Sequence, residues 1–409
     1  MPDVSVLEVA LHGQRIGTLS LLPGDQTMFA FDQAYIDDDG RPTLSLSFKD
    51  TLGDLITDVQ PTRRRVPPFF ANLLPEGALR DYLAKRAGVN PKREFFLLWL
   101  LGRDLPGALT ITPADGEAWP PETDGGSDEG QFPQNALLRF SLAGVQLKFS
   151  AVMEATGGLT IPAEGVGGSW IIKLPMKFEG VPENEYAMME LARTIGINVP
   201  EVRLIPLDQI TGLPDDVTRM KGNALAVKRF DRAEDGSAVH IEDFAQVFGL
   251  FPERKYERAS YRNIAEVLWA ETGADGVAEF VRRLVFNTLI GNADMHLKNW
   301  SLIYSDGRQA QLAPGYDFVS TIAYLPDTDM ALTLGRSKAM SELSLEQLAY
   351  LAGKALLPKK LVLDTGNETV ELFMDAWKDG KAIQAVSPQA IEPVNNLLAQ
   401  IPLVQRGGR

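Results

Sequence analysis

Apolar and polar positions alternate through residues 4–22, with pauses at His12-Gly13 and Pro23-Gly24, and alternate again from Thr43 to Phe48. A period of two places apolar side chains on one face, so these segments predict small antiparallel strands. From Pro75 to Ala87 and from Pro91 to Leu101 the spacing becomes helical, and each segment opens near a proline, a residue that a first helical turn tolerates. Residues 113–135, PADGEAWPPETDGGSDEGQFPQN, break the pattern. Rich in proline, glycine and acid with little to bury, they read as a linker or long surface loop.

Short apolar runs follow at Leu137 to Phe140, Leu147 to Val152, Trp170 to Leu174, Val202 to Leu207 and Ala224 to Val227, with one helical stretch among them, Asn184 to Ile195. From residue 241 onward the chain reads as helical, most clearly in GVAEFVRRLVFNTLIGN. There Val277, Phe280, Val281, Leu284, Val285, Thr288 and Leu289 recur along one helix face, and Gly291 stands where a left-handed cap would stop the helix. The expected fold is α+β. Residues 1–115 form an N-terminal domain, 116–135 a linker, 136–230 a strand-rich lobe and 231–409 a helical lobe, with a cleft between the lobes. No internal repeat is visible.

Composition narrows the function classes. The 409 residues suit roughly two or three domains at about 150 residues each, enough to bury cores without staples. Hydrophobic residues at 45% and charged residues at 23% exclude a disordered or coiled-coil chain. Lys+Arg 40 less Asp+Glu 54 gives a net charge of -14, which argues against broad nucleic-acid binding. Absence of cysteine removes disulfides, thiolate nucleophiles and Cys-ligated metals. The histidines, His12, His240 and His296, are too scattered in sequence for a metal helix. Asp3 and Glu8 in the first apolar stretch do not suit a signal peptide, and the longest apolar run, Phe95 to Leu101, is too short to span a bilayer. A soluble cytoplasmic protein is expected.

The candidate chemistry sits just past the Gly291 cap. In Gly291-Asn292-Ala293-Asp294-Met295-His296-Leu297-Lys298-Asn299-Trp300, four residues separate Asp294 from Asn299, the D-x-x-x-x-N spacing of a kinase catalytic loop. In such a loop the aspartate orients the substrate hydroxyl and the asparagine holds a metal. Lys298 is a candidate to neutralise phosphoryl oxygens. His296 is either an orienting hydrogen-bond partner or a structural donor. Apolar alternation from Trp300 to Tyr304 and a Ser305-Asp306-Gly307 turn would fold a hairpin that returns Asp317 to Asn299, a pair that suits Mg²⁺.

Upstream, Lys173 lies in the apolar run Trp170-Ile171-Ile172-Lys173-Leu174-Pro175, where its ammonium needs an anion. ATP phosphates or Glu185 could supply it. Ser141 to Lys148, which includes Gly144 and Val145, either covers phosphates or is an ordinary hairpin; it matches neither G-x-G-x-x-G nor the Walker A pattern. Arg63-Arg64-Arg65 reads as a solvated charge run rather than a nucleic-acid contact.

The chain resembles the HipA family of serine/threonine-protein kinase toxins from type II toxin-antitoxin modules. The resemblance is carried, in order, by Phe70-Ala71-Asn72-Leu73-Leu74-Pro75-Glu76-Gly77, Ser141 to Lys148, Trp170 to Pro175, Glu183-Asn184-Glu185 with Met189 and Leu191-Ala192, Lys228-Arg229-Phe230-Asp231-Arg232, Gly291 to Asn299, and Tyr316-Asp317. It implies an extra N-terminal α+β domain joined to a protein-kinase-like core. It further implies that Asp294 is the catalytic aspartate, that Asn299 and Asp317 are magnesium ligands, and that Lys173 is the ATP-phosphate lysine. Residues 228–230, Lys228, Arg229 and Phe230, would form the hinge whose backbone meets adenine. Gly144, Val145 and Lys148 would belong to the nucleotide-covering loop, and Ser141 would be its autophosphorylation site. Implied partners are a helix-turn-helix antitoxin, which would carry the DNA contact, and a translation component such as an aminoacyl-tRNA synthetase as substrate.

Two departures accompany the resemblance. Phe318-Val319 follows Asp317, so the glycine of an Asp-Phe-Gly motif is missing, and Lys228 is a basic residue at the hinge. After about residue 325 the chain predicts helices with little diagnostic sequence. A small-molecule or lipid kinase, and a pseudokinase serving as a co-repressor module, stand as alternatives.

Overall fold

The computed structural model describes residues 5–115, 148–153, 159–160, 168–175, 178–213 and 220–406. The expected linker, the Leu137–Phe140 strand and Ser141, Gly144 and Val145 lie outside the described residues.

The N-terminal domain is a five-stranded antiparallel sheet with strands in the order Thr62–Arg63, Gln26–Phe31, Gln14–Leu22, Ser5–Leu11 and Leu109–Pro113. The turns at His12-Gly13 and Pro23-Gly24 fall where the alternation paused. Helices Gly77–Ala87 and Glu94–Leu101 pack on it, each beginning a few residues after its proline. Thr43 to Phe48 is not a strand: Ser45 caps a 3-10 turn, Leu46–Phe48, by accepting the Ser47 N–H. A partner far along the chain fixes that turn, because Glu242 accepts from the Ser45 hydroxyl at 2.5 Å and the Leu46 N–H at 3.0 Å.

The strand-rich lobe is a sheet ordered Ile210–Thr211, Leu159–Thr160, Lys148–Met153, Trp170–Lys173, Asn223–Lys228 and Val202–Pro206. Its pairings are antiparallel except the first. Both faces are buried. Along Asn223–Lys228, Ala224 and Ala226 join the core of the N-terminal domain, while Leu225 and Val227 join that of the helical lobe. The N-terminal domain and this sheet therefore share one apolar core and support each other.

The helix that the sequence placed at residues 184–195 is Val181–Thr194. In the helical lobe, the stretch Tyr261–Leu289 bends at Gly273, where φ is 64° and ψ is -149°, so it is two helices end to end. It stops at Gly291, whose φ of 69° is the expected left-handed cap. A side chain there would meet Ile322. The region after residue 241 is less purely helical than its pattern suggests. It contains a sheet of His240–Asp243, Ser301–Tyr304 and Gln311–Leu312, and a hairpin of Asp329–Leu334 with Ser337–Ala339. Among the described residues no helix is long and apolar enough to cross a membrane.

Candidate active site

Lys173 ends the Trp170–Lys173 strand with its side chain 7% exposed, a position that an apolar strand would penalise unless anions met it. Its ammonium donates to Glu185, on helix Val181–Thr194, and to Asp317. Burial disfavours the charged lysine, but the Asp317 and Glu185 carboxylates outweigh it and hold the pKa above the ordinary lysine value. The Ser301–Tyr304 and Gln311–Leu312 strands pair as the sequence suggested and carry the chain back to Asp317. Asp317 adopts φ 58°, a left-handed conformation that a non-glycine residue holds only when its surroundings enforce it.

Asn292 joins the two halves of this arrangement. Its Nδ2 donates to the Asp317 carbonyl at 3.2 Å and to Asn287 Oδ1 at 2.8 Å, while its Oδ1 accepts the Asp294 N–H at 3.0 Å. Asn299 donates from Nδ2 to the Asp294 carbonyl at 2.9 Å, which leaves its Oδ1 as an acceptor at the same loop. The Asp294 carboxylate is reached by the Tyr256 hydroxyl at 2.5 Å. Partial desolvation in the crevice, with the neighbouring Asp317 and Glu76 charges, raises the Asp294 pKa against the opposing effect of Tyr256 and Lys255.

His296 is buried, with its ring 4.9 Å from and edge-on to that of Tyr256. Burial, then the Lys255 ammonium, pushes its pKa down to about 3, so the ring is neutral at physiological pH. Lys298 was expected to face phosphoryl oxygens. Its ammonium is instead engaged by Glu76 at 2.8 Å and by the Asn72 carbonyl at 2.9 Å.

At the expected hinge, the Lys228 N–H donates to the Glu201 carbonyl and the Arg229 N–H to the Ser169 carbonyl, both at 2.8 Å. The Arg229 guanidinium, 0% exposed, is bound to Asp104 at 3.1 Å and Asp231 at 2.8 Å, with Arg232 beside it. The Arg229 side chain and N–H are thus both satisfied by groups of the protein itself. Phe230 packs on Tyr316 at 5.7 Å, next to Asp317. Lys148 begins the Lys148–Met153 strand, opposite Lys173 in register. The basic run is not simply solvated: Arg65 binds Glu94 at 3.3 Å and Glu253 at 2.5 Å and lies over the Phe251 ring.

The donor set fits Mg²⁺. This ion takes one or two carboxylates and completes its octahedron with neutral oxygens, water and phosphate; Asp317 would supply the carboxylate and Asn299 Oδ1 a neutral amide oxygen. Among the described residues no group of three or more His, Asp or Glu side chains gathers around a common metal point.

Comparison with known proteins adds the family. The profile of the HipA-like C-terminal domain matches residues 140–377, and that of the HipA N-terminal domain matches residues 7–112. The chain belongs to the HipA family. A Sinorhizobium fredii protein described as a kinase, Y4dM, is 58% identical over 93% of each chain. The serine/threonine-protein kinase toxin HipA of Shewanella oneidensis is 27% identical over 87% of this chain and 85% of its own. Among solved structures, the Shewanella oneidensis toxin-antitoxin complex of HipA, HipB and operator DNA aligns with a TM-score of 0.73 at 24% identity, covering 98% of this chain and 97% of that one. The protein is therefore a HipA-type kinase with the α+β fold of that family.

Sequence reasoning missed Tyr256, Glu76 and Asn292. Asn292 lay in plain view within the polar loop. Glu76 is next to last in the Phe70–Gly77 segment that carries part of the resemblance, and Tyr256 carried no signal beyond a polar tip in a loop.

Proposed function

We propose that the protein transfers the γ-phosphoryl group of ATP to serine or threonine hydroxyls of proteins, its own Ser141 included, and acts as the toxin of a toxin-antitoxin pair. The observation that supports this reading is a chain of contacts through residues of three segments: the Lys173 ammonium meets Asp317, Asn292 ties the Asp317 carbonyl to the Asp294 N–H, and Asn299 donates to the Asp294 carbonyl. Asp294 orients the attacking hydroxyl and takes its proton as the new oxygen–phosphorus bond forms and the bond from γ-phosphorus to the bridging oxygen breaks, releasing ADP. Lys173 anchors the nucleotide phosphates, and its exchange of Asp317 for phosphate frees that carboxylate. Asp317 and Asn299 would hold Mg²⁺, which when bound neutralises charge on the β- and γ-phosphates. The protein's contribution is positioning and electrostatic stabilisation.

The antitoxin partner would be a helix-turn-helix protein that carries the DNA contact, a division suited to a chain of net charge -14. A cytoplasmic translation component, such as an aminoacyl-tRNA synthetase, is the inferred target. Incubation of the purified protein with radiolabelled Mg-ATP and a bacterial lysate tests the reading, followed by mass spectrometry of the protein itself. Labelled protein bands and phosphate on Ser141 are expected. Label confined to small molecules, with no phosphoprotein formed, would exclude it.

A further inference from the structure

The Phe70–Gly77 segment of the N-terminal domain brings Glu76 between two ammonium groups of the kinase core. Lys255 Nζ lies 3.0 Å from one carboxylate oxygen and Lys298 Nζ 2.8 Å from the other. The exposures of Glu76, Lys255 and Lys298 are 14%, 12% and 7%, so the pairs are weakly screened. Burial alone would raise the Glu76 pKa, but the Lys298 and Lys255 charges overcome it and hold the carboxyl down to about 2. The same segment makes a second contact, the Lys298 ammonium on the Asn72 carbonyl at 2.9 Å.

Each lysine adjoins a residue that touches Asp294. Tyr256, after Lys255, donates to the Asp294 carboxylate at 2.5 Å; Asn299, after Lys298, donates to its carbonyl at 2.9 Å. The two segments also meet through the Leu297 N–H and the Lys255 carbonyl at 3.2 Å. We propose that Glu76 is a positioning residue of the kinase site, clamping the segments that carry Tyr256 and Asn299 on either side of Asp294, so that the N-terminal domain is a working part of catalysis. The proposal rests on the reading of Asp294 and Asn299 given above. Removing the Glu76 charge leaves the Lys255 and Lys298 ammonium groups without their shared carboxylate beside the catalytic loop, with Asp243, 4.0 Å from Lys298, as the remaining anion there. Displacements of about 1 Å in such a loop can cost on the order of 100-fold in rate.

The test uses the full-length chain and radiolabelled Mg-ATP, with the maximal rate of self-labelling and the half-saturating ATP concentration measured for Glu76→Gln, Lys255→Met and the double variant. Glu76→Gln should lower the maximal rate by about 10-fold to 100-fold and leave half-saturating ATP within about twofold. Introduced into Lys255→Met, the same change should cost less than about threefold, because loss of Lys255 has already opened one side of the clamp. A parental rate in Glu76→Gln, independent multiplication of the two effects, or a change confined to ATP affinity would overturn the proposal. If Glu76→Gln fails to fold by circular dichroism, Glu76→Asp, which keeps the charge and shortens its reach, should show the same fall in maximal rate. Asp294→Asn separates the two levels of inference: activity in that variant, or none in the parent, overturns the underlying reading. An inactive Asp294→Asn beside a fully active Glu76→Gln overturns only this one.

Discussion

Replacing Lys173 by methionine separates what this residue does for stability from what it does for catalysis. The change removes an ammonium with 7% exposure from between Glu185, 6% exposed, and Asp317, 26% exposed. Breaking a buried ion pair from one side costs about 3–5 kcal/mol. Asp317 can turn toward water, so the lower end, about 3 kcal/mol, applies. At about 2–4 °C per kcal/mol for a domain of this size, the melting temperature should fall by about 6–12 °C. Lys173→Met/Glu185→Met replaces the pair with apolar side chains of similar volume and should recover most of that loss. Phosphotransfer should stay at least about 10²-fold below the parent in both variants, because neither restores the cation that meets ATP. Differential scanning fluorimetry and self-labelling with radiolabelled Mg-ATP give the two readouts. The reasoning is refuted if Lys173→Met melts within about 2 °C of the parent, or if the double variant regains phosphotransfer.

Arg229→Met should destabilise by about 3 kcal/mol, the lower end for a broken buried pair, since Asp104 at 2% and Asp231 at 7% exposure lose one of their two guanidinium partners and keep Arg232. Denaturant titration measures this, and unchanged stability with weakened ATP binding would return Arg229 to the nucleotide site. Burial pushes the Glu242 pKa from 4.5 to about 7 against its bonds to Ser45 and Tyr304. The folded state therefore holds a proton that the unfolded state has released, so this contribution is complete below pH 4.5 and lost as pH rises through about 7. It amounts to about 3 kcal/mol over that window. Glu242→Gln should flatten the pH dependence of unfolding there, and superimposable parent and variant curves would disprove the assignment.

Residues whose physics is local were readable from the chain. Lys173 stood out because an ammonium in an apolar strand demands a counter-charge, and Gly291 because a helix with that periodicity needs a left-handed stop. Spacing singled out Asp294 and Asn299 as candidates, and the hairpin that leads on to Asp317 was visible in its turn and is formed. Long-range partners were not readable. Thr43 to Phe48 alternates like a strand, yet Glu242 draws Ser45 and Leu46 into a turn. Arg229 sits in a hinge-like motif, but Asp104, far upstream, claims its side chain. Glu76, Lys255 and Lys298 form a cluster only once two domains meet, and no periodicity records that meeting.

The most direct test of the central claim is phosphotransfer by Asp294→Asn beside the parent, with Mg-ATP binding followed by calorimetry on both. The account predicts a rate lower by on the order of 10²-fold to 10⁴-fold, about 3–5 kcal/mol, with nucleotide affinity largely kept. An Asp294→Asn protein that phosphorylates as fast as the parent would contradict it.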